Sequence, residues 1–189
     1  LYSYSLFNID YDGDYSVYLN DPRNINLGKK LIINKKIIIE KERFNEINET
    51  EYHEILINHT TPYSPFDILE NKSLLLENNF DNLNAIDWDK GCYVGQEITA
   101  RMKYRGLLKK KLYALKIKSG DVLEGDELIV DNKKIGTIVS KANSNIFAAL
   151  NINFVNEIKN KDQNLVINDS LSFDFLNWKF FSIKTYWNY

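Results

Sequence analysis

The 189-residue sequence holds one cysteine, Cys92, one methionine, Met102, three prolines and two histidines. One cysteine excludes an internal disulfide framework and a Cys-rich metal site. His53 and His59 stand six apart, so neither a zinc-protease spacing nor a Cys/His cluster can be built from them. No apolar run approaches the ~18 residues needed to span a bilayer, and the sequence predicts no membrane partner. Neither charge sign dominates: 24 Lys and Arg face 26 Asp and Glu, a net of −2, which argues against a general nucleic-acid coat. The chain is 44% hydrophobic, too apolar for a disordered protein and long enough for a core in one or two domains. Sparse cysteine makes a reduced compartment, by default a cytosolic one, the expectation. The chain opens on Leu1 without a signal-type segment, and residues 1–7 read as the middle of a strand. A processed product or a fragment is therefore expected.

Asparagine is abundant, with 24 residues, but it is scattered through ordinary apolar patterns. Codon bias explains that better than a prion-like composition. In the first third, Tyr2, Tyr4 and Leu6 alternate with polar residues. Asp12-Gly13 then predicts a two-residue hairpin with a second strand over 15–19. Asp21-Pro22-Arg23-Asn24 predicts a turn, because Pro fixes φ and Asp can accept from the backbone beyond it. Leu31 to Ile33 and Ile37 to Ile39 predict another hairpin. A helix is expected after Thr50 as N-cap, with Glu51 in its first turn and His53 one turn before Ile57. Pro62 and Pro65 close it. A short helix is expected over 80–86.

Gly91 and Gly95 bracket Cys92, Tyr93 and Val94, and good helix formers follow. Val94, Ile98 and Met102 recur every four residues as one apolar face. Glu97, Arg101 and Arg105 recur at the same spacing on another face, with the acid N-terminal to the base. Gly106 is a natural stop. Beyond it, short strands separated by Gly120-Asp121, Gly125-Asp126 and Asp131-Asn132 predict a small antiparallel barrel. The domain boundary is placed near Gly106, giving 1–106 and 107–189.

Most free cysteines are small buried hydrophobes. Three features favour a reactive thiolate at Cys92: its place just before a helix, Lys90 two residues away, and the glycines around it. No histidine stands near it to act as a base, so a Cys/His nucleophile pair is poorly supported. Arg101 to Lys118 carries eight Lys or Arg and no Asp or Glu. That segment is either a solvated face or an anion site for phosphate, polyglutamate or RNA. The Gly91/Gly95 pair is neither a Walker loop nor a dinucleotide fingerprint. Glu77 can accept from a nitrogen heterocycle or lie on the surface.

Lys90-Gly91-Cys92-Tyr93-Val94-Gly95-Gln96-Glu97, continued by Ile98-Thr99-Ala100-Arg101 and Tyr104-Arg105-Gly106, resembles the hallmark of the YgfZ family. That family is related to the glycine-cleavage T-protein, an aminomethyltransferase. Asp21-Pro22-Arg23 with Leu27-Gly28, Leu75-Leu76-Glu77-Asn78-Asn79, and Ile135 to Ser140 are similar to further family segments. The resemblance implies an α+β chain: an incomplete T-protein-like folate-binding α/β region, then a small C-terminal antiparallel β-barrel. Against that pattern, the expectation is that roughly the first hundred residues of such a protein precede this piece, judged by usual domain size.

By the resemblance, Cys92 is the signature thiol. Lys90, Gly91, Tyr93, Gly95, Gln96, Glu97, Arg101 and Arg105 are its motif, and Glu77 matches a pterin-contacting position. The implied function is accessory: binding a tetrahydrofolate and supporting iron–sulfur cluster assembly or repair, and thereby cluster-dependent tRNA modification. The implied partners are iron–sulfur assembly factors or cluster-dependent client enzymes, with transient contact to a cluster and no resident metal. One cysteine cannot hold a cluster alone, since four protein ligands are usual. Two other readings stand beside it: a folate-dependent one-carbon transferase, which would make the chain an enzyme, and a tRNA-binding module. The resemblance places the chain in a bacterial cytoplasm or, in a eukaryote, the mitochondrial matrix.

Overall fold

Both outer strands of the first sheet lie against its most apolar strand. In this computed structural model, residues 1–34, 45–91, 94, 97–159, 165–168 and 170–176 are described. β1 (Tyr2–Leu6) and β2 (Val17–Asn20) each pair antiparallel with β3 (Lys29–Ile33), in the order β1-β3-β2. Leu31 and Ile33 of β3 are buried. The expected Asp12-Gly13 hairpin does not form, since β1 and β2 never pair. A type I′ turn needs positive φ at both central residues, and neither Asp12 nor Gly13 has it. The Tyr11 ring instead sits against Gly13, where a Cβ would lie 2.4 Å from the phenol oxygen. Ile37 to Ile39, the other half of the second expected hairpin, fall outside the described residues.

The turn at 21–24 forms as read. Asp21 accepts from the Arg23 backbone N–H at 3.0 Å, and Asn24 caps a short 3-10 turn over Ile25–Leu27. Gly28 then takes φ 71°, and a Cβ there would lie 2.0 Å from the Leu6 carbonyl oxygen. Only glycine lets β3 start so close to β1. Helix α1 spans Glu49–Asn58. Its N-cap is Asn48, not Thr50: Asn48 and Glu51 form a reciprocal capping box, satisfying two orphan N–H groups together. No helix forms over 80–86. Asn79 and Asn84 hold positive φ there, and the segment runs as consecutive turns.

Helix α2 (Glu97–Tyr104) ends as the sequence predicts. Gly106 has φ 63°, its N–H donates to the Lys103 carbonyl, and the Leu107 N–H reaches back to Met102. That pair of bonds is a Schellman cap.

The last part is a six-stranded antiparallel sheet in the order β5-β6-β7-β4-β9-β8. Its strands are β4 (Lys110–Ser119), β5 (Glu127–Val130), β6 (Lys133–Ala142), β7 (Asn145–Asn151), β8 (Leu165–Asn168) and β9 (Leu171–Phe175). Edge strands β5 and β8 come together, so the sheet curls into a nearly closed barrel. The expected strands are all present, and Asp131-Asn132 turns β5 into β6 with φ of 49° and 60°. Helix α3 (Ile152–Lys159), between β7 and β8, has no counterpart in the sequence reading.

Tyr113, Leu115, Ile138, Ile146, Leu150 and Phe173 fill the barrel. Leu112, Ala114 and Phe147 point the other way and are buried too, against Ile57 of α1. Helix α1 thus covers the outside of the barrel over β6 and β7. Strands buried on both faces lose the alternation that marks a half-buried strand.

Candidate functional site

The residues 72–84 and the start of β4 are stitched together by main-chain and side-chain bonds. The Leu112 N–H donates to the Glu77 carbonyl at 2.8 Å, and Asn79 Nδ2 donates to the Leu112 carbonyl at 2.7 Å. Two lysines of the basic segment find carboxylates on this stretch: Lys110 Nζ lies 3.3 Å from Glu77 and Lys111 Nζ 3.2 Å from Asp81. Farther along β4, Lys118 pairs with Asp174 at 3.0 Å. Part of the run that reads as an anion site in sequence is therefore neutralised within the fold. The Glu77 side chain is 17% exposed, and Lys110 binds its Oε2.

From Trp88 the chain leads into the signature. Lys90 is exposed, and so is Gly91, where an added Cβ would meet nothing within 4 Å. Cys92, Tyr93, Gly95 and Gln96 lie outside the described residues. Glu97, Arg101 and Arg105 are all exposed on α2. Arg101 donates to Glu97 one turn back, the pair their spacing predicts, whereas no carboxylate contacts Arg105 among the described residues. The apolar face read from Val94, Ile98 and Met102 does not enter the core. Val94 is fully exposed, Ile98 is 61% exposed, and α2 buries none of its residues.

What holds α2 is aromatic. Lys103 Nζ sits 3.6 Å from the centre of the Trp88 ring, and Tyr104 meets the same ring edge-on at 6.4 Å. A cation over an indole face is worth about 0.5–2 kcal/mol according to its exposure. This contact joins a residue before the signature to residues after it.

Two buried polar clusters, neither identified from the sequence, hold the surrounding frame. In the first, Asp67 is 1% exposed and collects three hydrogen bonds. His53 Nε2 lies 2.9 Å from its Oδ1, the Tyr63 N–H donates to Oδ2 at 2.7 Å, and the Ser140 hydroxyl donates to Oδ1. Phe66 stacks on His53 at 5.2 Å. Helix α1, the 61–67 segment and β6 thus meet on one carboxyl group. Ser140 donates to Asp67 and not to His53, so the trio lacks the base-to-nucleophile contact of a hydrolase triad.

In the second cluster, Arg23 grips Asp21 through Nε at 3.0 Å and Nη2 at 2.8 Å. Lys30 Nζ donates to Ser5 Oγ at 2.6 Å and to the Tyr52 hydroxyl at 2.9 Å, and lies 3.6 Å from Asp21. Burial pushes the Asp21 carboxyl up, but hydrogen bonds from Arg23 and the charges of Arg23 and Lys30 hold it below its ordinary value. Burial likewise pushes the Tyr52 phenol up, and hydrogen bonds from Lys30, Ser5 and Arg23 more than offset it, leaving it below the usual tyrosine range. The Asp21 carboxylate raises Arg23 further still. The Asp21-Pro22-Arg23 turn was the one visible signal of this cluster; Lys30, Tyr52 and Ser5 reach it only through the fold.

The chain is similar to mitochondrial iron–sulfur cluster assembly factors. The iron-sulfur cluster assembly factor IBA57 homolog of Dictyostelium discoideum is 31% identical over 128 residues, which is 64% of this chain and 31% of that protein. The homolog of Neurospora crassa is 34% identical over 93 residues, 49% of this chain and 21% of that one. The human factor IBA57 is 27% identical over 106 residues, 55% and 29% respectively. The matches thus span less than a third of these relatives' own length. No family model matches the chain. The similarity is to the IBA57 factors, distant kin of the T-protein and YgfZ superfamily, and does not single out YgfZ itself. Each of these relatives is named as mitochondrial. Among the described residues, no group of three or more His, Cys, Asp or Glu could hold a metal ion, and no helix is long and apolar enough to cross a membrane.

Proposed function

We propose that this chain is part of an accessory factor for iron–sulfur cluster assembly in the mitochondrial matrix, working through Cys92. The observation that carries the reading is the 31% identity over 128 residues to a protein named as such a factor. The surroundings of the signature support it. Gly91 and Val94 are exposed on either side of Cys92 and Tyr93, with Lys90 close by in sequence. A thiol next to a cation and a helix start ionises readily. On meeting a cluster the thiol releases its proton to water and its sulfur donates an electron pair to iron. The cluster is cargo, and its remaining ligands come from a partner chain, since one cysteine cannot hold it. The boundary near Gly106 would then separate a piece of the larger factor's α/β region from the barrel.

Tetrahydrofolate belongs to the same proposal. Glu77 offers a carboxylate with Oε2 on Lys110 and no hydrogen bond to Oε1 among the described residues. A largely buried acceptor of that kind fits the paired N–H groups of a pterin. Bound folate would supply a one-carbon carrier, and this chain's part is to hold its ring at Glu77.

The test replaces Cys92 by Ser in the full-length protein, expressed where the native copy has been removed. Activities of iron–sulfur enzymes should fall together while the variant protein accumulates normally. Undiminished enzyme activity would overturn the role of the thiol.

A further inference from the structure

Helix α2 has two sides with different fates. Lys103 and Tyr104 face Trp88, where the cation–aromatic contact fastens the helix. At 100° per residue, Ile98, Met102 and Arg105 fall together on the opposite side. Ile98 is 61% exposed there, and Leu107 just past the Schellman cap is 52% exposed. Eight residues are too few for a helix to persist alone in water, where roughly 12–15 are needed. The cap, the Glu97–Arg101 pair and Trp88 hold this one with an apolar side uncovered.

Two cations at and just past the end of the helix, Arg105 and Lys109, are exposed and left without a carboxylate among the described residues, in contrast to Lys110, Lys111 and Lys118 on β4. A surface with uncovered aliphatic side chains and unneutralised cations complements aliphatic side chains ringed by carboxylates. RNA fits less well. Its bases stack on aromatic rings, and the only aromatic of α2, Tyr104, is turned to Trp88.

We propose that the Ile98–Met102–Arg105 side of α2, extended by Leu107 and Lys109, docks an acidic segment of a partner protein that carries aliphatic side chains. The inference deepens the proposed function by giving the cluster's other ligand-bearing chain a place to sit beside the signature; its chemistry is argued from α2 alone.

A photo-crosslinking side chain at position 98 of the full-length protein tests it in the cell. The expected product is a covalent adduct to another protein, whose attached peptide, identified by mass spectrometry, has more Asp and Glu than Lys and Arg. Arg105→Glu with Lys109→Glu should cut the adduct roughly tenfold, and the yield should fall as salt is raised in extracts. Arg105 and Lys109 are both exposed, so the doubly reversed variant should melt with the parent protein, which separates lost docking from lost folding. An adduct to RNA, to a second copy, to the chain itself, or to a basic peptide would overturn the proposal. So would an adduct indifferent to both charge reversals. The Cys92→Ser experiment is independent: an acidic adduct with undiminished cluster enzymes leaves the docking face standing and removes the assembly role. No adduct with impaired enzymes does the reverse.

Discussion

Replacing Asp67 by Ala should destabilise the protein by about 3–5 kcal/mol. The figure follows from what the carboxyl group holds. His53 and Ser140 are 5% and 0% exposed, so water cannot replace Asp67 as their acceptor. Each buried donor left unmade costs about 1–3 kcal/mol, and the half-buried Tyr63 N–H adds a smaller amount. Set against a total stability of about 5–15 kcal/mol, the loss is large. Ser140→Ala removes a donor and leaves the acceptor bonded twice, so it should cost only about 1 kcal/mol. Asp67→Asn should fall between, because an amide can accept on one side only. Urea unfolding followed by tryptophan fluorescence gives these values. The Asp67→Asn and Ser140→Ala changes share a hydrogen bond, so their double variant should depart from additivity by at least about 0.5 kcal/mol. A loss below about 1 kcal/mol for Asp67→Ala, with strict additivity in the double variant, would refute the claim that this carboxyl group joins α1 to the barrel.

The other expectations can be checked with standard variants. In a spectrophotometric titration of the tyrosines, Tyr52 should ionise before most others, and Tyr113, pushed up to about 12 by burial, should ionise among the last. Tyr52→Phe should remove the early component, and Lys30→Met should shift it upward. Because Asp21 is held below its ordinary value in the fold, its contribution is fully present above the unfolded carboxyl value of about 4 and is lost as pH falls through the lower folded value. Asp21→Asn should therefore flatten the acid side of the stability profile below pH ~4, and an unchanged profile would count against the ion pair. Gly28→Ala should cost about 2–4 kcal/mol, since the new methyl meets the Leu6 carbonyl at positive φ. Gly91→Ala should stay within about 0.5 kcal/mol in the same unfolding assay, because its Cβ enters open space.

The barrel was readable in the residues because its devices are local. Asp131-Asn132 carries its own left-handed turn chemistry, Gly120 and Gly125 take positive φ at strand ends, and short apolar runs mark each strand. The end of α2 was readable for the same reason: Glu97–Arg101 and Gly106 act within one helical turn. Local signals also misled. Asp12-Gly13 has hairpin composition, yet β3 offers the first sheet a better apolar partner than β1 and β2 offer each other. Thr50 lost the cap to Asn48, whose side chain and Glu51 satisfy each other.

What the sequence determined by itself is the material: short strands that must pair, a glycine-flanked thiol with a helix behind it, and too few metal-ligating side chains for a cluster of this chain's own. What only the tertiary structure decided is which polar groups meet. Asp67 and Ser140 are 73 residues apart, and Ser5 and Tyr52 are 47 apart. Nothing in the neighbourhood of either partner marks it as paired. The structure also decided that the apolar side of α2 faces outward. Periodicity states that a helix has an apolar face, but only the packing of every other element determines whether the protein itself covers it.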